Sequence, residues 1–309
     1  MPPPDFFIAC YRFHLCVTRP ISLPTYKGST FHGGFSHGLA RIGPRFRDYF
    51  FAEAASKKKK GPEPPKPFTL IPPLEEQTIY VIGEMMTCGL ILFGPAIDQF
   101  MIAFAAIETL GRDLGLGVDS GRFRILRVEQ ITLDGAVPIF EADRWQPFTP
   151  GIGAQELLES HMAEARDVHL TLHTRLRLKN DNMLVREPPP FSIFFDRLVG
   201  RVNSLGAFYG SGMLMPPPQK RAMIDLAEKV RLDQERTTAG WSEWTRPPKA
   251  GKDEMSFGGL LGEIGYVGGL SPFIPWLALG QWTGVGGKTS FGLGLYHLDI
   301  EGGEDGSMS

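Results

Sequence analysis

Alternation of apolar and polar residues predicts three long β-strands in this chain. In residues 6–18 the apolar face consists of Phe7, Ala9, Tyr11, Phe13, Leu15 and Val17, and the polar face of Cys10, Arg12, His14 and Cys16. In residues 168–179 the polar face consists of His169, Thr171, His173, Arg175, Arg177 and Lys179. Residues 122–133 also alternate and lead into Asp134-Gly135, a hairpin signal. A period of two residues is typical of a strand with one buried face.

Apolar residues at helical spacing predict the helices. In residues 28–42, Phe31, Phe35, Leu39 and Ile42 recur every three or four positions. A second helix is predicted over 96–110, because Gly111 follows it as a stop signal. Further helices are predicted over 191–209, 220–232 and 270–279.

Shorter strands are predicted over 67–74, 78–82 and 85–93 in the first half, and over 240–246, 257–267 and 290–300 in the second. Each half then follows the order β-α-β-β-α-β, which is the ferredoxin-like arrangement. The predicted fold class is therefore α+β, with two ferredoxin-like (RRM-like) domains in tandem over 1–145 and 165–300. Residues 141–167 are predicted to be mostly linker. The segment from Arg41 through the Lys57–Lys60 run to the proline-rich GPEPPKP of 61–67 is predicted to be a flexible basic insertion, and the acidic tail after residue 300 to be disordered.

Composition agrees with a globular protein of two domains. The chain has 309 residues, of which 42% are hydrophobic and 21% charged. Cys10, Cys16 and Cys88 have no disulfide spacing, so we expect reduced thiols and a cytoplasmic protein. No apolar run has the length of a membrane span, and no signal peptide is expected. Because the net charge is −2, a nucleic-acid ligand would require cations concentrated in one place.

Residues 276–296 form a glycine-rich stretch with a single cation, Lys288, followed by Thr289 and Ser290. Exposed backbone N–H groups beside a lysine can bind an anion. The stretch is not a P-loop, since Trp282 stands where the leading glycine is required, and the dinucleotide fingerprint also fails at Thr289. A nucleotide-binding enzyme is therefore disfavoured, and an RNA backbone remains open as the ligand.

Four segments together are similar to the RAMP superfamily of CRISPR-associated proteins, and within it to the endoribonuclease family that processes precursor CRISPR RNA. They are the helix of residues 28–42 with its HGGFSHGL core, PFTLIPPL and the strand after it in 67–94, RLVGRVNSL with FYGSG in 197–212, and WTR through GVGGKTSFGLGLY in 244–296. The last segment is the most specific of the four.

This resemblance implies a metal-independent cut within the CRISPR repeat, with a 2′,3′-cyclic phosphate as product, no cofactor and retention of the mature guide RNA. It implies a catalytic histidine in the first helix, acting as general base on the 2′-OH or as general acid on the leaving 5′-oxygen. His32 is the first candidate and His37 the second, with Tyr26 and Lys27 assisting. Histidine suits acid–base chemistry because its ordinary pKa is about 6.5. A packed histidine is the alternative at His32, and a solvent-facing one at His37.

The predicted RNA-binding residues are Gly284, Gly286, Gly287, Lys288, Thr289, Ser290, Arg175, Arg177, Lys179 and Arg246. Expected partners are precursor and mature CRISPR repeat RNA and other subunits of a CRISPR effector complex, without a membrane. For the glycine-rich stretch the alternative role is a tight crossover between the two domains, and for the polar face of 168–179 it is a solvated sheet surface. The alternative function is that of a non-catalytic RAMP subunit that binds the repeat-derived RNA.

Overall fold

The computed structural model describes residues 3–51, 64–246 and 255–301. The strands of the first half are β1 (Phe7–Arg19), β2 (Ile21–Ser22), β3 (Phe68–Ile71), β4 (Ile79–Tyr80), β5 (Met85–Phe93), β6 (Arg122–Thr132), β7 (Gly135–Glu141), β8 (Arg144–Trp145) and β9 (Ile152–Gly153). Its helices are α1 (Gly28–Ile42), α2 (Pro44–Phe51), α3 (Phe100–Thr109) and α4 (Ala154–Ser160).

The first sheet has the strand order β3-β5-β1-β6-β7-β8, and β9 pairs with the first residues of β1. The central four strands, β3-β5-β1-β6, are antiparallel neighbours in the ferredoxin-like order. Helices α1 and α3 share one core with this sheet, in which Phe13, Phe35 and Phe100 are buried. The predicted architecture of the first half is thus confirmed.

The apolar face predicted for β1 is buried from Ala9 to Val17, but Phe7 is 50% exposed. At this end of the strand the opposite face is covered instead. Ile8 and its pairing partner Phe93 are buried in the core of the second half of the chain. The alternation predicted one buried face of β1. It could not show that the core of the second half of the chain covers the other face.

Two further predictions in the first half need correction. The helix predicted over 96–110 begins as a 3₁₀ turn over Gly94–Gln99, continues as α3 and ends in a wider turn over Leu110–Leu114. The segment after Arg41 is not simply a loop, because α2 contains Arg45 and Arg47 and buries Phe50 and Phe51 against α1. In the sequence, the neighbouring arginines made this segment look polar throughout. The Lys57–Lys60 run lies outside the described residues.

The second half repeats the arrangement. Its strands are β10 (Asp167–Leu176), β11 (Lys179–Asn180), β12 (Met183–Leu184), β13 (Arg231–Asp233), β14 (Gly240–Ser242), β15 (Thr245–Arg246), β16 (Met255–Ser256), β17 (Gly259–Val267) and β18 (Tyr296–Glu301). Its helices are α5 (Phe191–Tyr209), α6 (Pro217–Ala227) and α7 (Ile274–Thr283). The second sheet has the order β13-β17-β10-β18, with β14 also beside β17, and α5 and α7 pack on it. Two ferredoxin-like units in tandem are therefore confirmed, whereas the domain limits 1–145 and 165–300 stay a prediction.

The predicted linker over 141–167 is largely structured. It contains β9 and α4, and Ile152 and Leu157 are buried in the core of the second half. The predicted helix over 220–232 is instead α6, which begins at Pro217 and ends at Ala227, followed by β13. The predicted helix over 270–279 begins as a 3₁₀ turn and extends as α7 to Thr283. Of the strand predicted over 168–179, only the part to Leu176 pairs in the sheet, so that Arg177 and Lys179 lie beyond it.

The strand predicted from Ser290 begins only at Tyr296. Residues 289–291 form a 3₁₀ turn, and Gly292 and Gly294 have φ of +85° and +74°, which a strand does not allow. The alternation in this segment comes from glycines placed between apolar residues, and it resembles a strand pattern by coincidence. None of the described helices has the length and apolar character needed to cross a membrane.

Candidate RNA-processing site

The glycine-rich loop (residues 284–295) lies directly against the first turn of α1. The approach is so close that a Cβ atom at Gly28 would lie 2.2 Å from the carbonyl oxygen of Phe291. On its other side the loop contacts β3, where a Cβ at Gly292 would lie 2.5 Å from the carbonyl oxygen of Leu70. The second unit thus places its loop on the helix and strand of the first that carry the candidate chemistry.

His32 is covered by this loop and is only 8% exposed. Its ring stacks on Phe291 with 3.5 Å between ring centroids, and the edge of Phe51 approaches it at 5.0 Å. The hydroxyl oxygen of Ser290 lies 3.4 Å from His32 Nε2. His32 and the glycine-rich loop therefore lie side by side, and the histidine is packed under Phe291.

Burial, together with the positive charges of Lys66 and Arg246, lowers the pKa of His32 to about 3. An imidazole in water has a pKa of about 6.5, because water solvates its charged form. In this site the ring is therefore neutral at pH 7. A neutral imidazole can accept a proton but has none of the acidic protons of an imidazolium to donate.

Tyr26 fastens the loop to the start of α1. Its hydroxyl donates a hydrogen bond of 2.7 Å to the carbonyl oxygen of Phe291, and the guanidinium of Arg175 lies 5.6 Å above its ring. Burial raises the pKa of the phenol, and Arg175 opposes that rise. Tyr26 is thus brought to the site, with its hydroxyl proton engaged by the loop.

Lys27 and His37 are placed differently. Lys27 is buried, and its ammonium donates a hydrogen bond of 2.5 Å to the carbonyl oxygen of Glu75, in the turn after β3. Burial lowers the pKa of Lys27, against the opposing charges of Glu75 and Glu76. His37 is exposed on the side of α1 away from its buried stripe. Among the residues that the structure describes, neither side chain forms a hydrogen bond with the loop.

Lys288 and Arg246 bring positive charge to the loop. Lys288 has a left-handed backbone (φ 61°), donates a hydrogen bond of 2.6 Å to the carbonyl oxygen of Ser256, and lies 4.3 Å from the ring centroid of Phe257. Burial, together with Arg177 and Arg246, lowers the pKa of Lys288 to about 8. A lysine with such a pKa is still mostly protonated at pH 7 and gives up its proton more readily than a lysine in water.

Arg246 reaches α1 from β15, with its Nη1 atom 3.4 Å from the hydroxyl of Ser29. Its Nε atom is buried, and no described residue accepts a hydrogen bond from it. A buried donor without a partner costs about 1–3 kcal/mol, so such a group is suited to meet an acceptor that arrives with a ligand.

Some backbone N–H groups of the loop donate hydrogen bonds within the protein, and others do not. The amides of Gly287 and Gly294 donate to the carbonyl oxygens of Arg177 and Arg175, at 2.8 and 3.1 Å. Within the described part of the chain, no acceptor faces the three consecutive amides of residues 288–290. The predicted binding set therefore separates into Gly284, Gly286 and Gly287, which shape the loop, and Lys288, Thr289 and Ser290, whose N–H groups have no hydrogen-bond acceptor among the described residues.

The predicted cations on and after β10 are also partly engaged. Arg175 donates from Nε to the hydroxyl of Ser242 at 3.1 Å, and Arg177 from Nη1 to the carbonyl oxygen of Gly258 at 2.6 Å. Lys179 is exposed. Arg175 and Arg177 thus hold the segment around β14 to β16 against β10, and Lys179 remains accessible.

Two residues of this site escaped sequence reasoning. Phe291, which covers the candidate base, lies in a segment predicted to be a strand. Lys66, whose ammonium donates a hydrogen bond of 2.8 Å to the carbonyl oxygen of Phe51, lies in a proline-rich segment predicted to be a flexible insertion. No local pattern marks either residue, because both act through contacts that are distant in sequence.

Comparison with known proteins supports one family. Residues 170–296 match the family model of the CRISPR-associated endoribonuclease Cas6, and residues 5–151 match that of the AF_1859_N N-terminal domain. A search of curated proteins with this sequence gave no significant match.

Among solved structures, Thermus thermophilus Cas6 (TTHB231) superimposes with a TM-score of 0.60 at 17% identity, covering 95% of this chain and 99% of that one. The product complex of Cas6 (TTHB231) gives 0.59 at 19% identity, with the same coverage. A chain of the partial Cas6-RT-Cas1–Cas2 complex gives 0.65 at 14% identity, covering 97% of this chain and 47% of that one. At these identities the likeness concerns the fold.

The family match over residues 170–296 and the tandem fold shared along nearly the whole chain agree with each other, and together they support a CRISPR-associated, Cas6-like protein.

Proposed function

We propose that this protein is a metal-independent endoribonuclease that cuts precursor CRISPR RNA within the repeat and retains the mature guide RNA. The observation that carries the proposal is the seating of the glycine-rich loop on α1, with Ser290 Oγ 3.4 Å from His32 Nε2. A base and an anion-binding loop then meet at one place. CRISPR repeat RNA, in its precursor and mature forms, is the proposed partner, with other CRISPR subunits as further partners.

In the proposed reaction His32 accepts the proton of the ribose 2′-OH next to the scissile phosphate. The 2′-oxygen forms a bond to phosphorus, and the bond from phosphorus to the 5′-oxygen breaks. The products are a 2′,3′-cyclic phosphate and a 5′-hydroxyl. A general base works best when its pKa lies near the working pH, so the pKa of His32 has to rise from about 3 when RNA displaces Phe291 and uncovers the ring.

Positive charge and N–H groups would stabilise the phosphorane between these steps. Lys288 and Arg246 supply the charge, and the amides of residues 288–290 supply fixed donors. Such preorganised donors commonly account for about 3–4 kcal/mol of barrier lowering apiece. Lys288 is also the proposed donor of the proton to the departing 5′-oxygen, because its pKa of about 8 is nearer neutrality than that of an ordinary lysine.

Access to His32 requires a movement of Phe291. The stacked phenyl ring covers the imidazole, and only 8% of His32 is exposed. RNA would reach the Nε2 atom when its own sugar or base displaces Phe291 from this stack.

The same burial favours a second candidate function, that of a non-catalytic RAMP subunit that binds the repeat-derived RNA. In that case His32 serves as a packing residue under Phe291, and the loop keeps its RNA-binding role. The two functions share the RNA ligand and differ only in whether the bond is cut.

The deciding experiment incubates the protein with a repeat RNA in EDTA and maps the products. One cut that leaves a cyclic phosphate supports the endoribonuclease, and binding without a cut supports the second candidate. His32→Gln and His37→Gln are assayed side by side. Loss of cleavage in the first alone supports His32 as the base, loss in the second alone transfers the role to His37, and full activity in both refutes the proposed site.

A further inference from the structure

A second concave surface is bordered by the glycine-rich loop, at Gly286 and Gly287. It is a cleft of about 350 Å³ between α5, α6, the segment after β10 and the loop. Its cations are Arg177, Lys179, Arg197, Arg201 and Lys220, and we call it the basic cleft. Asp196 is the only acidic residue among the described residues that line it.

This concentration of charge is not a property of the whole molecule, whose net charge is −2. A concave surface lined by charges of one sign focuses the field and attracts counter-ions. The single carboxylate is already engaged, because Asp196 pairs with Lys220 at 2.8 Å and with Arg197 at 3.4 Å. Three of the five cations therefore have no acidic partner among the lining residues.

Arg201 forms the floor of the cleft and holds its position through the first unit. Its Nε atom donates to the carbonyl oxygen of Thr283 at 3.3 Å, and Nη2 to the hydroxyl of Thr69 in β3 at 3.4 Å. Burial lowers the pKa of Arg201 to about 10, so it stays charged at neutral pH. A buried guanidinium that faces neutral oxygens rather than a carboxylate is a strong recognition group for a phosphate.

The chemistry of the lining favours a phosphate backbone over bases. No aromatic side chain lies among the described lining residues, so no stacking platform is present. The volume of the cleft is at the small end of the range of about 300–1,000 Å³ that is usual for ligand pockets. The cleft is therefore too small for a duplex. Contacts of this kind position a strand without distinguishing its sequence.

The loop connects the cleft to the candidate active site. Gly286 and Gly287 line the cleft, and Ser290, three residues later, contacts His32. Three residues span at most about 11 Å. A nucleic-acid strand in helical geometry carries one phosphate per about 3.4 Å, so about three nucleotides span the distance from the loop edge of the cleft to Ser290.

We propose that the basic cleft binds the phosphate backbone of a single-stranded RNA segment within about three nucleotides of the bond at His32. The ligand class rests on the proposed function, but the binding site does not depend on cleavage. Arg197, Arg201 and Lys220 join the RNA-binding residues on this basis, and Arg177 and Lys179 act from the cleft rather than from a sheet face.

The test measures the salt dependence of binding to a fluorescent oligouridine of about 20 nucleotides, between about 50 and 200 mM salt. The variant Lys179→Gln/Arg197→Gln removes two cleft cations and leaves Asp196 paired with Lys220. The matched control, Lys229→Gln/Arg231→Gln, removes two exposed cations of the same unit that do not line the cleft. Each phosphate contact on a single strand contributes about 0.7 to the slope of log K against log salt, so the cleft variant is expected to lower the slope by about 1.4 and the control to leave it unchanged.

Equal slopes in wild type and cleft variant, equal losses in cleft variant and control, or no binding of oligouridine by the wild type would each overturn the proposal. An equal loss on an RNA duplex of the same length would overturn the assignment of a single strand. A second variant, Gly287→Glu, puts a carboxylate into the cleft at a position where a Cβ has ordinary spacing, 3.6 Å from the nearest oxygen. It is expected to weaken oligouridine binding at least as strongly as the double variant.

Cleavage of a repeat RNA is measured on the same preparations, so that the two proposals fail separately. If no cut occurs while the slope falls in the cleft variant, the endoribonuclease is refuted and the cleft stands. If the RNA is cut while the slope is unchanged, the cleft is refuted and the endoribonuclease stands.

Discussion

Buried His32 is expected to make the protein less stable in mild acid. The unfolded chain binds a proton at this histidine with a pKa of about 6.5, whereas in the folded protein the pKa is lowered to about 3. Above pH 6.5 this histidine is neutral in both states and does not oppose folding. As the pH falls from 6.5 towards 3, the unfolded chain takes up a proton that the folded protein does not, so the free energy of unfolding decreases. Each pH unit in this window is worth about 1.4 kcal/mol, so His32 alone removes about 2 kcal/mol of stability between neutral pH and pH 5.

The assay is urea unfolding at about pH 7.5 and pH 5, where the midpoint and the slope m together give the free energy of unfolding. His32→Gln cannot titrate, so its stability should depend on pH about 2 kcal/mol less than that of the wild type. The matched control is His37→Gln on the same helix, whose exposed side chain should leave the pH dependence as in the wild type.

The comparison is valid when m agrees among the three proteins, since a change in m indicates that different structures unfold. If the wild type and His32→Gln lose the same free energy at pH 5, the burial of a neutral imidazole beneath Phe291 is refuted. A loss that disappears in His37→Gln instead would transfer the titrating group to the exposed histidine.

Three further predictions address the loop and its contacts. Phe291→Ala removes the stacked ring and should raise the pKa of His32 towards its ordinary value, because water then solvates the imidazolium. An NMR titration of the ring protons measures this pKa, and an unchanged value would contradict the prediction. Gly294→Ala should lower the melting temperature, because Gly294 has φ +74° and an added Cβ would lie 1.9 Å from a carbonyl oxygen. In the control Gly240→Ala the added Cβ meets no atom within 4 Å. Equal shifts in melting temperature would refute the close approach at Gly294. Lys288→Gln should lower the salt slope of RNA binding by about 0.7, as expected for one phosphate contact; an unchanged slope would remove Lys288 from the RNA-binding residues.

Much of the fold was predictable because local patterns agree with the tertiary structure. The spacing of Phe31, Phe35 and Leu39 predicts α1 with its observed limits, since these three side chains form the face that packs on the first sheet. Helix α5 and strand β5 were predicted with the same success. The order of elements then suffices for the ferredoxin-like arrangement of each half.

The errors fall where a local pattern and a distant contact conflict. Residues 290–295 alternate like a strand, yet the left-handed glycines and the contact with α1 impose a turn. Residues 152–160 look polar enough for a linker, yet Ile152 and Leu157 complete a core built mainly by the second half. Burial of a few side chains outweighs the average polarity of such a segment.

For the candidate site, the sequence by itself determined which residue types are present: a helix with two histidines, a glycine-rich segment with one lysine, and the resemblance to a family that processes CRISPR RNA. Only the tertiary structure decided that His32 meets Ser290 across 258 residues, that Phe291 covers it, and that five cations gather in a cleft beside the same loop. The physical reason is that desolvation and charge density depend on which distant segments pack together. A local pattern of residues sets the propensity to form a helix or a strand. It does not determine which side chains are buried away from water when distant segments pack together.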